Sequence, residues 1–342
     1  MTPLFAPRHI ALAALIGAGL FAVAWGTYGV ASDSAQEEPV RVRWLMAHAP
    51  LELYGRALKV FEETFENESG RRLVLEVILP QDLGLSEGDV LYDEVKRRME
   101  ASEVDISSTL MSALAIEYPP LEVIDLPFLF TDYDHVARVF DGPIGETLLQ
   151  NVSTHSTVRG LGFALSGGWR IFISDTTAIH TPRDLKGKSV SSPGGGRIVK
   201  ETLTTFGAVP LAAAADAQPE VIETPYTRYP SIVDEPRNPR YVSETEHSLL
   251  STMVIARAGF FDALTERERT ALKRAVQAAT AVEREDSVAL ASTTRARLVE
   301  RGSIIIRPTS EEKRQWMEQA RKVYSLFDGE AAELIRAIEA NR

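Results

Sequence analysis

Apolar residues recur along this chain with two different periods, and each change of period marks an element. Val40–Met46, VRVRWLM, alternates apolar and charged positions, which predicts a strand. After it Tyr54, Leu58, Phe61 and Phe65 fall on one helical face, with Lys59, Glu62, Glu63 and Glu66 elsewhere, and Gly70 ends the run. Leu73–Leu79 predicts a second strand, broken by Pro80. A strand–helix–strand opening of this kind predicts a parallel α/β layer. A helix over Leu91–Glu100, with Val95 and Met99 on one side, leads to a short strand at Val104–Ile106 and a short apolar element at Leu110–Ile116. LEVIDLPFLF, Leu121–Phe130, centres on a proline, so it predicts a strand entering a turn, with Phe128 and Phe130 in the core. Val136–Gln150 predicts a helix in two pieces, split by Gly142-Pro143.

The alternation is sharpest just after Gly167-Gly168. Trp169, Ile171 and Ile173 share one face of a predicted strand, and Arg170, Phe172 and Ser174 share the other. A polar turn, Asp175–Arg183, and a short strand at Lys188–Ser192 follow, then Pro193 and three glycines before a helix starting at Arg197. A strand-held guanidinium beside a glycine bend and a helix start is a place where donors converge on an anion. The same residues also suit a surface corner with a solvent-paired arginine. Farther on, Pro219–Pro239 reads as irregular, with Asp234 and Glu235 as solvated surface, and Leu249–Ala256 as a buried strand.

Thr265 and Glu268 form a capping box, and neither glycine nor proline interrupts the chain from there to Glu300. At about 1.5 Å per residue this helix extends roughly 54 Å, beyond the ~30 Å of a small domain, so it must brace two lobes. Ser303–Arg307 predicts a strand and Thr309–Glu312 a second capping box. The C-terminal helices turn Trp316, Val323, Leu326, Leu334 and Ile338 inward.

Composition narrows the function. A chain of 342 residues with 44% hydrophobic content predicts two domains, and a net charge of −11 argues against nucleic acid as a partner. There is no cysteine, and the six histidines lack metal-site spacing, so neither a metal nor another cofactor is expected. No nucleophile elbow or nucleotide fingerprint is present; the glycines before Arg197 lack the GxGxxG spacing, and Lys200 does not complete a phosphate loop. The expectation is a binding protein, not an enzyme. At the N-terminus, Arg8 precedes the uncharged run Ile10–Ala31, which ends in Gly29-Val30-Ala31 ahead of a polar stretch. That predicts a secretory leader cleaved near Ala31; the run is also long enough for an uncleaved anchor, since a span takes about 20 residues. Either way the body lies outside the cytoplasmic membrane.

Several blocks, in order, resemble the substrate-binding subunits of tripartite ATP-independent periplasmic (TRAP) transporters. They are LEVIDLPFLFTDYDHVARVFDGPIG, GGWRIFIS followed by TPRDLKGK, FGAVP, ETP at Glu223–Pro225, and ARAGFFDALTERER, within about Val40 to Pro308. The resemblance implies an α/β, two-lobed, type II-like periplasmic binding protein whose long helix spans both lobes. It would capture a small organic acid in the cleft and deliver it to TRAP-type permease subunits, touching the membrane only through them or its leader. The alternative is a sensor module, or a degenerate binding protein, presenting its ligand to a receptor.

On this reading residues 1–31 are the leader, 40–165 lobe I with 248–265 returning to it, and 166–247 lobe II with 303–308 returning to it. Residues 265–300 are the cross-lobe helix and 309–342 the C-terminal helices. The family's ligand arginine falls on Arg170, and the polar contact of its E-N-P block on Thr224, with Pro225 kept. Two departures stand out. The family's second arginine is Ser191 here, and the segment 211–222 is short, AAAADAQPEV in place of a cleft-lining helix. The resulting expectation is a ligand with a single acidic group on Arg170, read at its other end by Ser191, Thr224 and the backbone N–H groups of Gly194 and Gly195. Arg197 is expected to face solvent.

Overall fold

The computed structural model describes residues 38–48, 53–85, 90–211, 218–229 and 238–342. The leader, Asp234 and Glu235, and most of the short segment after Leu211 lie outside them.

The alternating run folds as strand β1, Val40–Leu45, and the helical run as α1, Gly55–Ser69, which ends where Gly70 turns left-handed at φ 70. Strand β2, Leu73–Ile78, then returns parallel to β1, with Trp44 opposite Val77. Helix α2, Tyr92–Glu100, leads into β3, Ile106–Leu110, on the other side of β1. The strand expected at Val104–Ile106 therefore begins two residues later. The apolar element after it divides into the end of β3 and the one-turn helix α3, Met111–Leu114.

Leu121–Phe130 departs further from expectation. Pro119–Asp125 is a 3-10 helix, with Leu121, Val123, Ile124 and Asp125 buried, and the chain turns only afterwards. Prolines at its first two positions preset the required φ, so a local bias overrode the β-branched composition. Phe128 and Phe130 are buried as expected. Helices α4, Tyr133–Phe140, and α5, Pro143–His155, divide at Gly142, where Pro143 starts a new helix.

Strand β4, Val158–Ser174, organises the rest. As far as Trp169 it pairs with β9, Leu249–Arg257, which pairs in turn with β3. From Arg170 it pairs instead with β7, Val221–Pro225, and β8, Tyr241–Ser243. Between Ala164 and Gly168 the register shifts, through Ser166 at φ 46, Gly167 at φ 144 and Gly168 at φ 79. Glycine is required here for space as well. A Cβ on Gly167 would lie 2.6 Å from Pro225, and one on Gly168 2.5 Å from the Tyr133 hydroxyl.

The strand order is β2-β1-β3-β9-β4-β7-β5-β6, with β8 on β4 and β10 on β8. Here β5 is Ser189–Ser191, β6 Val209–Pro210 and β10 Ile304–Ile306. Pro219–Pro239 is thus not irregular throughout: β7 is held between β4 and β5, and a 3-10 turn, Tyr226–Arg228, follows it. Helix α6, Arg197–Thr205, joins β5 to β6, and α7, Ala258–Ala263, follows β9.

Helix α8, Glu266–Glu300, carries the expected capping box at Thr265 and Glu268. Midway along it Glu283 accepts the backbone N–H groups of Leu165 and Ser166, each at 2.8 Å, and so holds the bulge of β4. Next to it Arg284 donates to the Phe163 carbonyl at 2.8 Å, and farther along Arg295 donates to Glu244 at 2.5 Å. The helix is fastened to both halves of the sheet. Each half has its own core: Trp44, Phe61, Phe65, Leu272 and Val276 in one, Phe172, Val199, Leu203, Phe206 and Trp316 in the other. Helices α9, Ser310–Tyr324, and α10, Gly329–Ala340, end the chain. Trp316, Val323 and Ile338 are buried, Leu334 only partly, and Leu326 lies past the end of α9 and is half-exposed.

Candidate ligand-binding site

Arg170 is the first residue of β4 to pair with β7, two residues beyond the bulge, and its N–H donates to the Ser248 carbonyl at 2.9 Å. Its side chain is 0% exposed, which for an arginine demands partners. Nη1 donates to Glu223 Oε2 at 3.0 Å and to Ser192 Oγ at 3.2 Å, and Nη2 donates to the Gly194 carbonyl at 3.3 Å. Nε is buried with no hydrogen-bond partner among the described residues.

Glu223 reaches this position because the β4–β7 register sets it opposite Phe172, on the same face as Arg170. It is buried too, and burial alone would raise its pKa. The Arg170 charge, a bond from His247 Nε2 at 2.8 Å and a short bond from the Ser192 hydroxyl outweigh that and hold it at about 2. His247 is aligned by Thr245, 2.8 Å from Nδ1, and stacks on Phe172 with centroids 4.6 Å apart. An ionised carboxylate therefore fixes one end of the guanidinium. Nε remains without a partner among the described residues, on the edge it shares with Nη2, a shape that a carboxylate accepts.

The other expected contacts are distributed differently. Thr224 pairs with Ile171, on the opposite face of the sheet from Arg170, and its hydroxyl lies 3.4 Å from the Pro225 carbonyl. Ser191 is half-buried at the end of β5, beside Ile222, and its neighbour Ser192 makes the bonds to Arg170 and Glu223. The glycine bend acts through an oxygen: Gly194, at φ 70, gives its carbonyl to Arg170, and the Gly195 N–H is spent on the Ser192 carbonyl at 3.0 Å. Arg197 is half-exposed yet bonded through Nε to both Glu122 oxygens, at 2.9 and 3.1 Å.

Besides Glu223, Ser192 and His247, three groups around the glycine bend and the β4 bulge were not anticipated. Ser112 and Asp125 face Gly196, where a Cβ would lie 2.5 Å from Ser112 Cβ and 3.5 Å from Asp125 Oδ2. Burial pushes the Asp125 carboxyl up to about 6, opposed by Arg170 and reinforced by the nearby charge of Glu223. Tyr54 gathers with Ser108, Ser166 and the buried Arg228: burial and then the Glu283 charge push its phenol up to about 12, against those three. Thr227 adds a buried hydroxyl beside Gly167. A signal for Asp125 was present, since a carboxylate inside an apolar run is rarely buried without a purpose. The described residues contain no cluster of acidic and histidine side chains able to hold a metal, and no helix long and apolar enough to cross a membrane.

Comparison with known proteins matches this arrangement to one family. The model of bacterial extracellular solute-binding protein, family 7, matches residues 46–216 and 237–330. The C4-dicarboxylate-binding periplasmic protein DctP of Rhodobacter capsulatus is 26% identical, over 96% of this chain and 97% of its own. Among solved structures, a TRAP periplasmic solute-binding protein from Shewanella oneidensis with bound succinate superposes with a TM-score of 0.74 at 21% identity, covering 89% of this chain and 99% of that one. One from a Polaromonas species bound to D-erythronate gives 0.75 at 21%, covering 88% and 98%.

Proposed function

This chain belongs to the bacterial extracellular solute-binding proteins of family 7, and we propose that it captures a hydroxylated monocarboxylic acid on Arg170 and delivers it to a TRAP-type permease. The observation that carries the reading is the buried guanidinium at the crossing of the two lobes, with Nη1 held by Glu223 and Nε unpartnered among the described residues. Such an edge binds a carboxylate with two parallel bonds. Glu223 already shares the charge of Arg170, and Ser191 supplies no second cation. The hydroxyls of Tyr54, Ser108, Ser166 and Thr227 suit a ligand that carries hydroxyl groups of its own.

In this reading residues 40–165 and 248–265 form lobe I, and 166–247 with 303–308 form lobe II. Residues 265–300 brace both, 309–342 close the chain, and the leader at 1–31 exports it. Ser192 lines the acid end of the cleft, with Gly194 and Gly195 shaping the bend around it and Ser191 on the opposite face. The sensor alternative has no observation of its own in this site.

The test is titration of the protein with D-erythronate, D-glucuronate and succinate, with Arg170→Lys beside it. Lysine keeps a cation for Glu223 but loses the two-pronged edge. D-Erythronate at about 100 times its dissociation constant should add about 2.7 kcal/mol of stability to the unsubstituted chain. Arg170→Lys should lose about thirtyfold or more in affinity while remaining folded. Unchanged affinity in that variant, or a clear preference for succinate, defeats the reading.

A further inference from the structure

Asp125 ends the 3-10 helix Pro119–Asp125, and its side chain is buried against Gly196. The charged groups around it come from several elements. The charges of Arg170 on β4 and Glu223 on β7 act on it, Glu122 lies on its own helix, and Arg197 of α6 is tied to Glu122. Behind Glu223 stands His247. Two buried carboxylates thus bear on one buried guanidinium: Glu223 bonds Nη1, and Asp125 packs on Gly196, two residues from the Gly194 carbonyl that accepts from Nη2.

The Nε–Nη2 edge of Arg170 adds a third carboxylate when a ligand seats there, a step that rests on the function proposed above. Three carboxylates around one guanidinium in a water-poor site cannot all stay ionised, because like charges at short range raise each other's proton affinity. The group with the weakest hold on its charge yields. Glu223 is held by Arg170, His247 and Ser192. Asp125 has the hydroxyl of Ser112 and only the field of Arg170.

We propose that Asp125 is a specificity-determining residue of this site, taking up one proton from solvent as the ligand carboxylate seats on Arg170. The carboxylate of Asp125 becomes a neutral carboxyl, and the complex gains one anion and one proton together. The pocket thereby limits the negative charge a ligand can bring to this end, and affinity falls as pH rises above neutrality. Burial already holds this carboxyl at about 6, so the proton is accessible near pH 7.

Calorimetric titration of the full chain with D-erythronate, in buffers of different ionisation enthalpy at neutral pH, reads the proton directly. The expected uptake is about half to one proton per ligand, with affinity falling up to about tenfold per pH unit on the alkaline side. Asp125→Asn, nearly the same shape, should take up close to none and bind with a flat pH profile; circular dichroism checks its fold. Uptake that persists in Asp125→Asn, or no uptake in the unsubstituted protein, overturns the proposal. If Arg170→Lys binds D-erythronate as the unsubstituted protein does, the ligand reading itself fails. If Arg170→Lys loses binding but no proton is taken up, only the role of Asp125 fails. Failure of both D-erythronate and succinate to bind overturns both.

Discussion

Arg197 and Glu122 face each other in an ion pair that ties together elements of separate cores: Nε of the one lies 2.9 and 3.1 Å from the two oxygens of the other. Glu122 sits on the 3-10 helix whose Leu121, Val123 and Ile124 join the core of Leu45, Met253 and Ile255. Arg197 opens α6, whose Val199 and Leu203 pack with Phe172 and Trp316. The pair lies at the rim, with Arg197 52% exposed, so it is worth roughly 0–1 kcal/mol and is screened by salt. Glu122→Gln should weaken ligand affinity by no more than about fivefold, and most at low ionic strength. Titrations at low and high salt check this; a loss that does not change with salt would point to packing instead.

Gly196 offers a sharper test of the contact between the glycine bend and α3. Its φ of −76 accepts any residue, so Gly196→Ala carries no backbone strain. The new methyl would meet Ser112 Cβ at 2.5 Å and Ser112 Oγ at 2.9 Å. Overpacking costs about 1–3 kcal/mol, so the variant should lose roughly that much stability and bind ligand more weakly. Adding Ser112→Gly should restore much of the affinity. If the double variant binds as poorly as the single one, Ser112 is not what the methyl meets.

The pair of Glu223 and Arg170 makes stability depend on pH. With Glu223 held at about 2 against an ordinary 4.5, its contribution is present above 4.5 and is lost as pH falls from there toward 2. Glu223→Gln leaves the buried Arg170 without its counter-ion and should destabilise by about 3–5 kcal/mol at neutral pH. Denaturant melts across the acid range should show the difference between the two proteins narrowing as pH falls. A difference that holds constant to pH 3 contradicts an ionised Glu223.

Glu283 behaves in the opposite sense. Burial raises its pKa, so whatever stability its protonated form confers is lost as pH rises through its folded value. Its two backbone bonds oppose that shift. Glu283→Ala would strand the N–H groups of Leu165 and Ser166 and should cost about 2–6 kcal/mol, at roughly 1–3 for each orphaned group. Hydrogen exchange at those two amides should accelerate ahead of the rest of β4. Unchanged protection there would mean that the sheet holds the bulge without the helix.

The sequence disclosed elements whose cause is local. Alternation placed Arg170, Phe172 and Ser174 on one face, and capping boxes located both Thr265 and Thr309. What it concealed depends on pairing between distant segments. Glu223 became the partner of Arg170 through the β4–β7 register, across a separation of 53 residues, and the same register turned Thr224 to the opposite face. Gly167 and Gly168 read as the start of a strand because glycine normally interrupts one, whereas here they are the bulge of a strand that begins at Val158. Asp125 was hidden by prolines that turned an expected strand into a 3-10 helix.

One strand serves both halves of the sheet, and that has a mechanical consequence. Any rotation of one lobe on the other has to pass through the bulge at Ser166–Gly168, and Arg170 stands two residues beyond it, within about 7 Å along the strand. In the proposed function a ligand on Arg170 would act close to that pivot, on a short lever arm. A small rotation there would be larger at the rim where Glu122 meets Arg197.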